Sequence, residues 1–253
     1  MNGLDLFSGI GGITFALSEW VKPIAYCEID PFCQSILLSR IDDGCLPKAA
    51  IWDDITTFPF ESFRNAKVDI MYGGFPCQDI SIAGNGKGLE GKRSGLFFEI
   101  MRLAKEIKPQ FLFLENVPAI TTRGGLQVVK EITNLGYDSR WCIISAAEIG
   151  AVHERERWFL LAKHRQINAN PNSESSRKTN TPSKPIETKQ NPWMGFTGFC
   201  GIYETQLDWQ EDIYRMDWVD NGLPKRLDEA RALGNAVVPL QAKKAFEILM
   251  GIK

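Results

Sequence analysis

The chain is poor in the features that mark several large protein classes. No apolar run approaches the ~20 residues that a membrane-crossing helix needs. The amino terminus, Met1-Asn2-Gly3-Leu4-Asp5-Leu6-Phe7, enters a strand-like pattern at once, so no leader peptide and no membrane partner are expected. Six cysteines in 253 residues include no Cys-x-x-Cys pair, which argues against a disulfide framework and a zinc site. Reduced thiols, a cytoplasmic location and no metal are expected. Basic residues are not in excess, 29 against 31 acidic, for a formal charge of −2. Charge alone favours a small-molecule substrate, and any nucleic-acid contact must come from a local basic face. A zinc deaminase needs His-x-Glu and Pro-Cys-x-x-Cys. Here His153 is followed by Glu154 and Arg155, and Pro76-Cys77 by Gln78-Asp79-Ile80. The Gly-x-Ser-x-Gly turn of serine hydrolases is also missing.

What is present alternates between strand and helix. Leu4–Phe7 reads as a strand, and Gly9, Gly11 and Gly12 lead into a helix over Ile13–Trp20. Pro23–Cys27 is a strand, and Asp30-Pro31 starts a second helix with Asp30 as cap. Val68–Tyr72 is a strand that gives out into a loop. Ser94 caps a helix over Gly95–Ile107 that ends before Pro109. Phe111–Leu114 is a strand, Leu126–Leu135 a helix ending at Gly136, and Arg140–Ser145 and Trp158–Ala162 are strands. Such alternation implies an α/β fold with a doubly wound, mostly parallel sheet. The pattern stops at 166–192, which is polar and aperiodic. The aromatic-rich Trp193–Trp218 is expected to form a small second lobe, its aromatics serving that lobe's core. A final helix starts at Pro239, with Ala242, Ala245, Phe246 and Leu249 on one face.

Three groups of residues invite chemistry. The turn Phe7-Ser8-Gly9-Ile10-Gly11-Gly12, followed by Glu28 after the next strand, suits a nucleoside-containing cofactor whose ribose is held by an acid. Thr14 stands where Gly-x-Gly-x-x-Gly has its third glycine, which disfavours a dinucleotide. A plain strand–turn–helix connection is the alternative. Cys77 and Glu115 both follow strands at the edge where open α/β sheets bind ligands. A free cysteine can also be a small buried hydrophobe. Arg155 and Arg157, in His153-Glu154-Arg155-Glu156-Arg157, suit either a pocket or a surface charge cluster.

In their order these segments resemble the DNA cytosine-5 methyltransferases. The matching blocks are Asp5–Gly12, Glu28, Asp54-Ile55, Gly74-Phe75-Pro76-Cys77-Gln78, Glu115-Asn116-Val117, Arg155-Glu156-Arg157 and Gly234-Asn235-Ala236-Val237-Val238-Pro239. The resemblance implies a Rossmann-like methyltransferase domain over 1–164 and 226–253, with a small target-recognition region over 165–225. It implies S-adenosylmethionine, giving S-adenosylhomocysteine, lined by Phe7, Gly9, Ile10, Gly11 and Gly12. Glu28 would hold the ribose, Ile29 would pack on the adenine, and Asp54 with Ile55 would meet its amino edge. Pro76, Leu96, Asn235 and Val237 would complete that pocket. Cys77 would attack carbon 6 of a flipped-out cytosine, Glu115 would bond N3 and the exocyclic amine, and Asn116 would fix the Glu115 loop. Arg155 would hold O2, with Arg157 in support. A lid over Ser81–Arg93, with Gln78, Ser81, Lys87, Lys92 and Arg93, would meet duplex DNA.

A monomer is expected, with a cognate restriction endonuclease as partner. A tRNA substrate is the other reading, but Phe199-Cys200-Gly201 lacks the Cys-Phe-Thr typical of that branch. Two further departures stand out. His153 replaces a common glutamine, and the arginine-bearing helix before the last block has only Arg226 and Arg231 as candidates.

Overall fold

The computed structural model describes residues 1–63, 66–76, 95–151, 153–165 and 236–252. Among the described residues, seven strands form one sheet: β1 Asn2–Leu6, β2 Lys22–Cys27, β3 Ala50–Trp52, β4 Ile70–Gly74, β5 Phe111–Asn116, β6 Tyr137–Ser145 and β7 Glu156–His164. Their order is β3-β2-β1-β4-β5-β7-β6. The pairs from β3 to β5 are parallel, and β7 runs antiparallel to both β5 and β6. The α-helices among the described residues are α1 Gly12–Ala16, α2 Pro31–Asp42, α3 Gly95–Ile107, α4 Ile120–Arg123, α5 Gly125–Asn134 and α6 Pro239–Met250. This is the doubly wound, mostly parallel Rossmann-like sheet expected.

Alternation along the strands sorts the core into two layers. Leu4, Leu6, Met71, Leu112 and Leu114 face one way, against Phe97, Ile100 and Leu103 of α3 and Val128 and Ile132 of α5. Ile70, Tyr72, Phe111 and Phe113 face the other, against Ile13 and Ala16 of α1 and Ala242, Ala245, Phe246 and Leu249 of α6. Phe246 packs edge-on against Phe113, with ring centroids 5.3 Å apart. The final helix therefore folds back across the sheet to α1, as its apolar face requires.

Several boundaries differ from expectation. The first helix ends at Ala16 rather than Trp20, and the chain continues in turns. Lys22 N bonds Met1 O at 2.9 Å, which pins the start of β2 beside the start of β1 and leaves no length for more helix. β4 begins at Ile70 and takes in Gly73 and Gly74, which the sequence placed in a loop. A Cβ on Gly73 would stand 1.8 Å from Leu6 O, so only glycine lets β4 approach β1 there. α5 lies one residue earlier than expected, and β6 and β7 are each nine residues long. The cap at Asp30 is as expected, with Phe32 N donating to its carboxylate at 2.9 Å. The expected polar stretch, the aromatic lobe and the Ser94 cap lie outside the described residues.

The second layer also buries a carboxyl group. Asp5 is 1% exposed, and Thr14 Oγ1 donates to it at 2.6 Å while sharing a 2.7 Å bond with Tyr72 OH. Burial, with the Glu28 charge adding to it, pushes the Asp5 pKa from an ordinary 3.8 to about 8, against the hydrogen bonds from Thr14 and Ser8. The folded chain thus holds a proton that the unfolded chain releases. That contribution is full below the ordinary value and is lost as pH rises through about 8. Stability should therefore fall between about pH 4 and pH 8, by up to about 1.4 kcal/mol per pH unit for this one proton. Asp5→Asn should flatten that fall. Urea midpoints of both proteins at pH 5 and pH 8 check it, and parallel slopes would contradict the assignment.

Candidate functional site

The carboxyl ends of β1, β2, β4 and β5 meet along one edge, and two clusters form there. The first lies beyond β1 and β2. Phe7 and Gly9 adopt left-handed conformations, φ 54° and 53°, so the backbone reverses sharply after β1. A Cβ on Gly9 would meet nothing within 4 Å, so the turn borders open space. Glu28 Oε2 accepts from Gly9 N at 2.6 Å and Oε1 from Asp30 N at 2.9 Å. Each oxygen keeps acceptor capacity for a further donor. Ile29, next to it, is 68% exposed. An oriented carboxylate beside an uncovered apolar side chain fits an adenosine, which offers ribose hydroxyls and a flat apolar base.

Asp54 and Ile55 begin a short 3₁₀ turn after β3. The Asp54 carboxylate accepts from Thr56 N at 2.9 Å and Thr56 Oγ1 at 2.8 Å, which fixes its direction. Ile10 and Ile55 are buried, while Leu96 and Val237 are half-buried. Gly12 is essential to the approach of Val237: a Cβ there would stand 2.9 Å from Val237 O. The residue predicted from the last motif is thereby brought to the glycine turn.

The second cluster lies beyond β4 and β5. Glu115 is 7% exposed, and its Oε1 sits 2.9 Å from Arg157 Nε. A Cβ on Gly74 would stand 2.5 Å from Glu115 Oε2, so the glycine makes room for the carboxylate. An ion pair favours the charged form, yet burial outweighs Arg157 and Arg155 and pushes the Glu115 pKa from 4.5 to about 7. Near neutral pH this group both accepts and releases a proton.

Asn116 ties the two strand ends together. Its Nδ2 donates to Phe75 O at 2.9 Å and its Oδ1 accepts from Val117 N at 2.8 Å. The sequence assigned Asn116 to the Glu115 loop, and it also holds the backbone two residues before Cys77. Arg157 was expected in support before the strand. It lies within β7 and bonds Glu115 directly. Arg155 Nη2 donates to Ala236 O at 2.7 Å, so its guanidinium meets the segment before α6. Pro76 is exposed at the end of the described β4 loop. Cys77, Gln78, Ser81, Lys87, Lys92, Arg93 and Asn235, with Arg226 and Arg231, lie outside the described residues.

Sequence reasoning missed two buried groups at this edge. Asp5 was read only as part of a strand motif, and Gln241 only as a helix position. Both are polar residues in otherwise apolar stretches, Leu4-Asp5-Leu6 and Leu240-Gln241-Ala242, which was the available signal.

Comparison with known proteins bears on the family and the fold. The family model for C-5 cytosine-specific DNA methylases matches residues 1–214. The Type II methyltransferase M.CviJI of Paramecium bursaria Chlorella virus IL3A is 33% identical over 244 residues, 96% of this chain and 58% of its own length. M.HhaI of Haemophilus parahaemolyticus is 33% identical over 170 residues, 65% of this chain and 50% of its own. The chain spans about half the length of the curated relatives it matches. Among solved structures, the S. pombe Dnmt2 methyltransferase superposes with a TM-score of 0.54 at 24% identity, covering 70% of this chain and 57% of that one. A Spodoptera frugiperda DNMT2 mutant gives 0.55 at 17% identity, over 66% and 51%. These structural likenesses show the fold.

Proposed function

The chain belongs to the C-5 cytosine-specific DNA methylase family, and from that premise we propose that it transfers a methyl group to carbon 5 of cytosine in duplex DNA. The observation that carries the reading is Glu115. It is a buried carboxyl group at a strand end, with a pKa near 7 and an arginine partner, directly beside the backbone that leads to Cys77.

Phe7, Gly9, Ile10, Gly11 and Gly12 would hold S-adenosylmethionine with Glu28, Ile29, Asp54, Ile55, Pro76, Leu96, Asn235 and Val237. That molecule supplies a methyl group activated by a sulfonium. Glu28 would accept from the ribose hydroxyls on its remaining lone pairs, and Ile29 would pack against the adenine. Carbon 5 of cytosine is a weak nucleophile. The Cys77 thiolate adds at carbon 6 while Glu115 donates its proton to N3, which makes carbon 5 an enamine carbon able to attack the methyl group. Carbon 5 takes the methyl group and S-adenosylhomocysteine leaves. Loss of the carbon-5 proton to water, with the N3 proton returned to Glu115, then expels the thiolate and restores the ring. A free thiol of pKa about 8.5 is only a few per cent ionised at pH 7, so the loop must favour the thiolate. Arg157 orients Glu115, and Arg155 addresses O2.

Carbon 6 is shielded inside a duplex, so the base flips out, at a cost of about a few kcal/mol for unstacking. Gln78, Ser81, Lys87, Lys92 and Arg93 serve the DNA. Region 165–225 chooses the sequence, and 1–164 with 226–253 does the chemistry. Two of the relatives named above carry Type II names, which supports a restriction–modification role with a cognate nuclease. The test is transfer of tritiated methyl groups to duplex DNA and, in parallel, to tRNA, followed by nucleoside analysis. Label in 5-methyldeoxycytidine is expected. Label in tRNA alone would replace the substrate, and label in neither would overturn the reading.

A further inference from the structure

Gln241 stands on the first turn of α6 and is completely buried. Its amide nitrogen donates to two backbone carbonyls, Ile144 O in β6 and Arg155 O just before β7, the latter at 2.6 Å. Arg155 O also accepts from Ala146 N at 3.2 Å. The reverse bond is the one from the Arg155 guanidinium to Ala236 O. The turn that bears Arg155 is thus fastened to the α6 side twice, once by its own carbonyl and once by its side chain. The fastened segment, 236–238, is the one pressed against Gly12 of the glycine turn.

Packing does not explain this residue. Gln241 Oε1 is buried and has no partner among the described residues. An apolar residue of similar size would fill the same space without stranding an acceptor. What it would lose is the pair of donors that hold Ile144 and Arg155. One carbonyl belongs to Arg155 itself, just before β7, and the other to Ile144, which pairs with Arg157 across β6 and β7.

We propose that Gln241 is a positioning residue for methyl transfer, fixing the Arg155 backbone so that its guanidinium is aimed between the 236–238 segment and the base pocket. The proposal rests on the methyltransferase reading above. It concerns the step in which the base is held, so the cofactor should still bind when Gln241 is changed.

The test is a double-mutant cycle on the full chain with Gln241→Met, Arg155→Lys and both together. Single-turnover transfer to duplex DNA is read beside the affinity for S-adenosylhomocysteine. Gln241→Met should slow transfer about tenfold, with cofactor affinity changed less than about threefold. In the Arg155→Lys background the same substitution should cost less than about twofold, because the group it directs is already compromised. Equal losses in both backgrounds would show a purely structural role and overturn the proposal. If Gln241→Met does not fold, Gln241→Glu carries the same cycle, since it keeps the size and, when protonated, one donor. A wild-type protein that transfers nothing would instead overturn the functional reading, so the two failures are distinguishable.

Discussion

Cys77→Ala is expected to abolish methyl transfer while leaving S-adenosylhomocysteine binding intact. The argument is chemical. Without a nucleophile at carbon 6, carbon 5 of cytosine keeps its aromatic electrons and does not attack the methyl group. The surroundings point the same way. Cys77 directly follows Pro76 at the carboxyl end of β4, and Asn116 anchors Phe75 O just before it. The neighbouring strand end carries Glu115. The strand that carries Glu115 near its end and the strand that precedes Cys77 in sequence are adjacent and parallel, β5 and β4, in register from Ile70↔Phe111 to Gly74↔Glu115. Duplex DNA containing 5-fluorocytosine sharpens the test, because fluorine blocks the final elimination. Wild-type protein should form a complex stable to denaturing electrophoresis and the alanine variant none. A trapped complex with the variant would assign the nucleophile to another residue.

Glu115→Gln should lower the rate about 10²–10⁴-fold, the range typical for loss of a positioned general acid. Glutamine preserves the shape beside Gly74 but has no proton to give to N3. The pH profile separates this from a packing effect. With a pKa of about 7, Glu115 loses its proton as pH rises through neutrality. Wild-type turnover should therefore decline above about pH 7 through loss of the acid. On the acid side it is limited by loss of the thiolate. In Glu115→Gln the high-pH decline should disappear. A variant with the same decline as wild type would place the titrating acid elsewhere. Arg157 is part of this balance: it lowers the Glu115 pKa, so its removal should move the decline to higher pH.

Much of the frame was legible because it depends on local chemistry. An acidic cap before Pro31, a glycine turn after Leu4-Asp5-Leu6 and the apolar run ending at Glu115 each announce themselves within a few residues. The burial of Glu115 was also readable, since four apolar residues before it placed it at the end of an interior strand. What escaped reading depends on contacts distant in the chain. β3 is three residues long and shows no period. Gly73 and Gly74 resemble loop glycines, but they are strand residues made necessary by Leu6 O and by the Glu115 carboxylate. Arg157 sits in alternating charges that look like surface, and only the antiparallel pairing of β7 with β5 brings it to Glu115. The hydrogen bonds of Asp5 and Gln241 cross 9 and 86 residues or more, respectively, beyond the reach of motif or periodicity.

The most direct measurement is a map of 5-methylcytosine across the DNA of bacteria that lack cytosine methylation and express this chain, beside cells expressing Cys77→Ala. Marks at carbon 5 within one short recurring motif, absent with the variant, are the predicted result. Marks that persist with the variant would contradict the role given to Cys77, and unmarked DNA in both cultures would contradict the proposed activity itself.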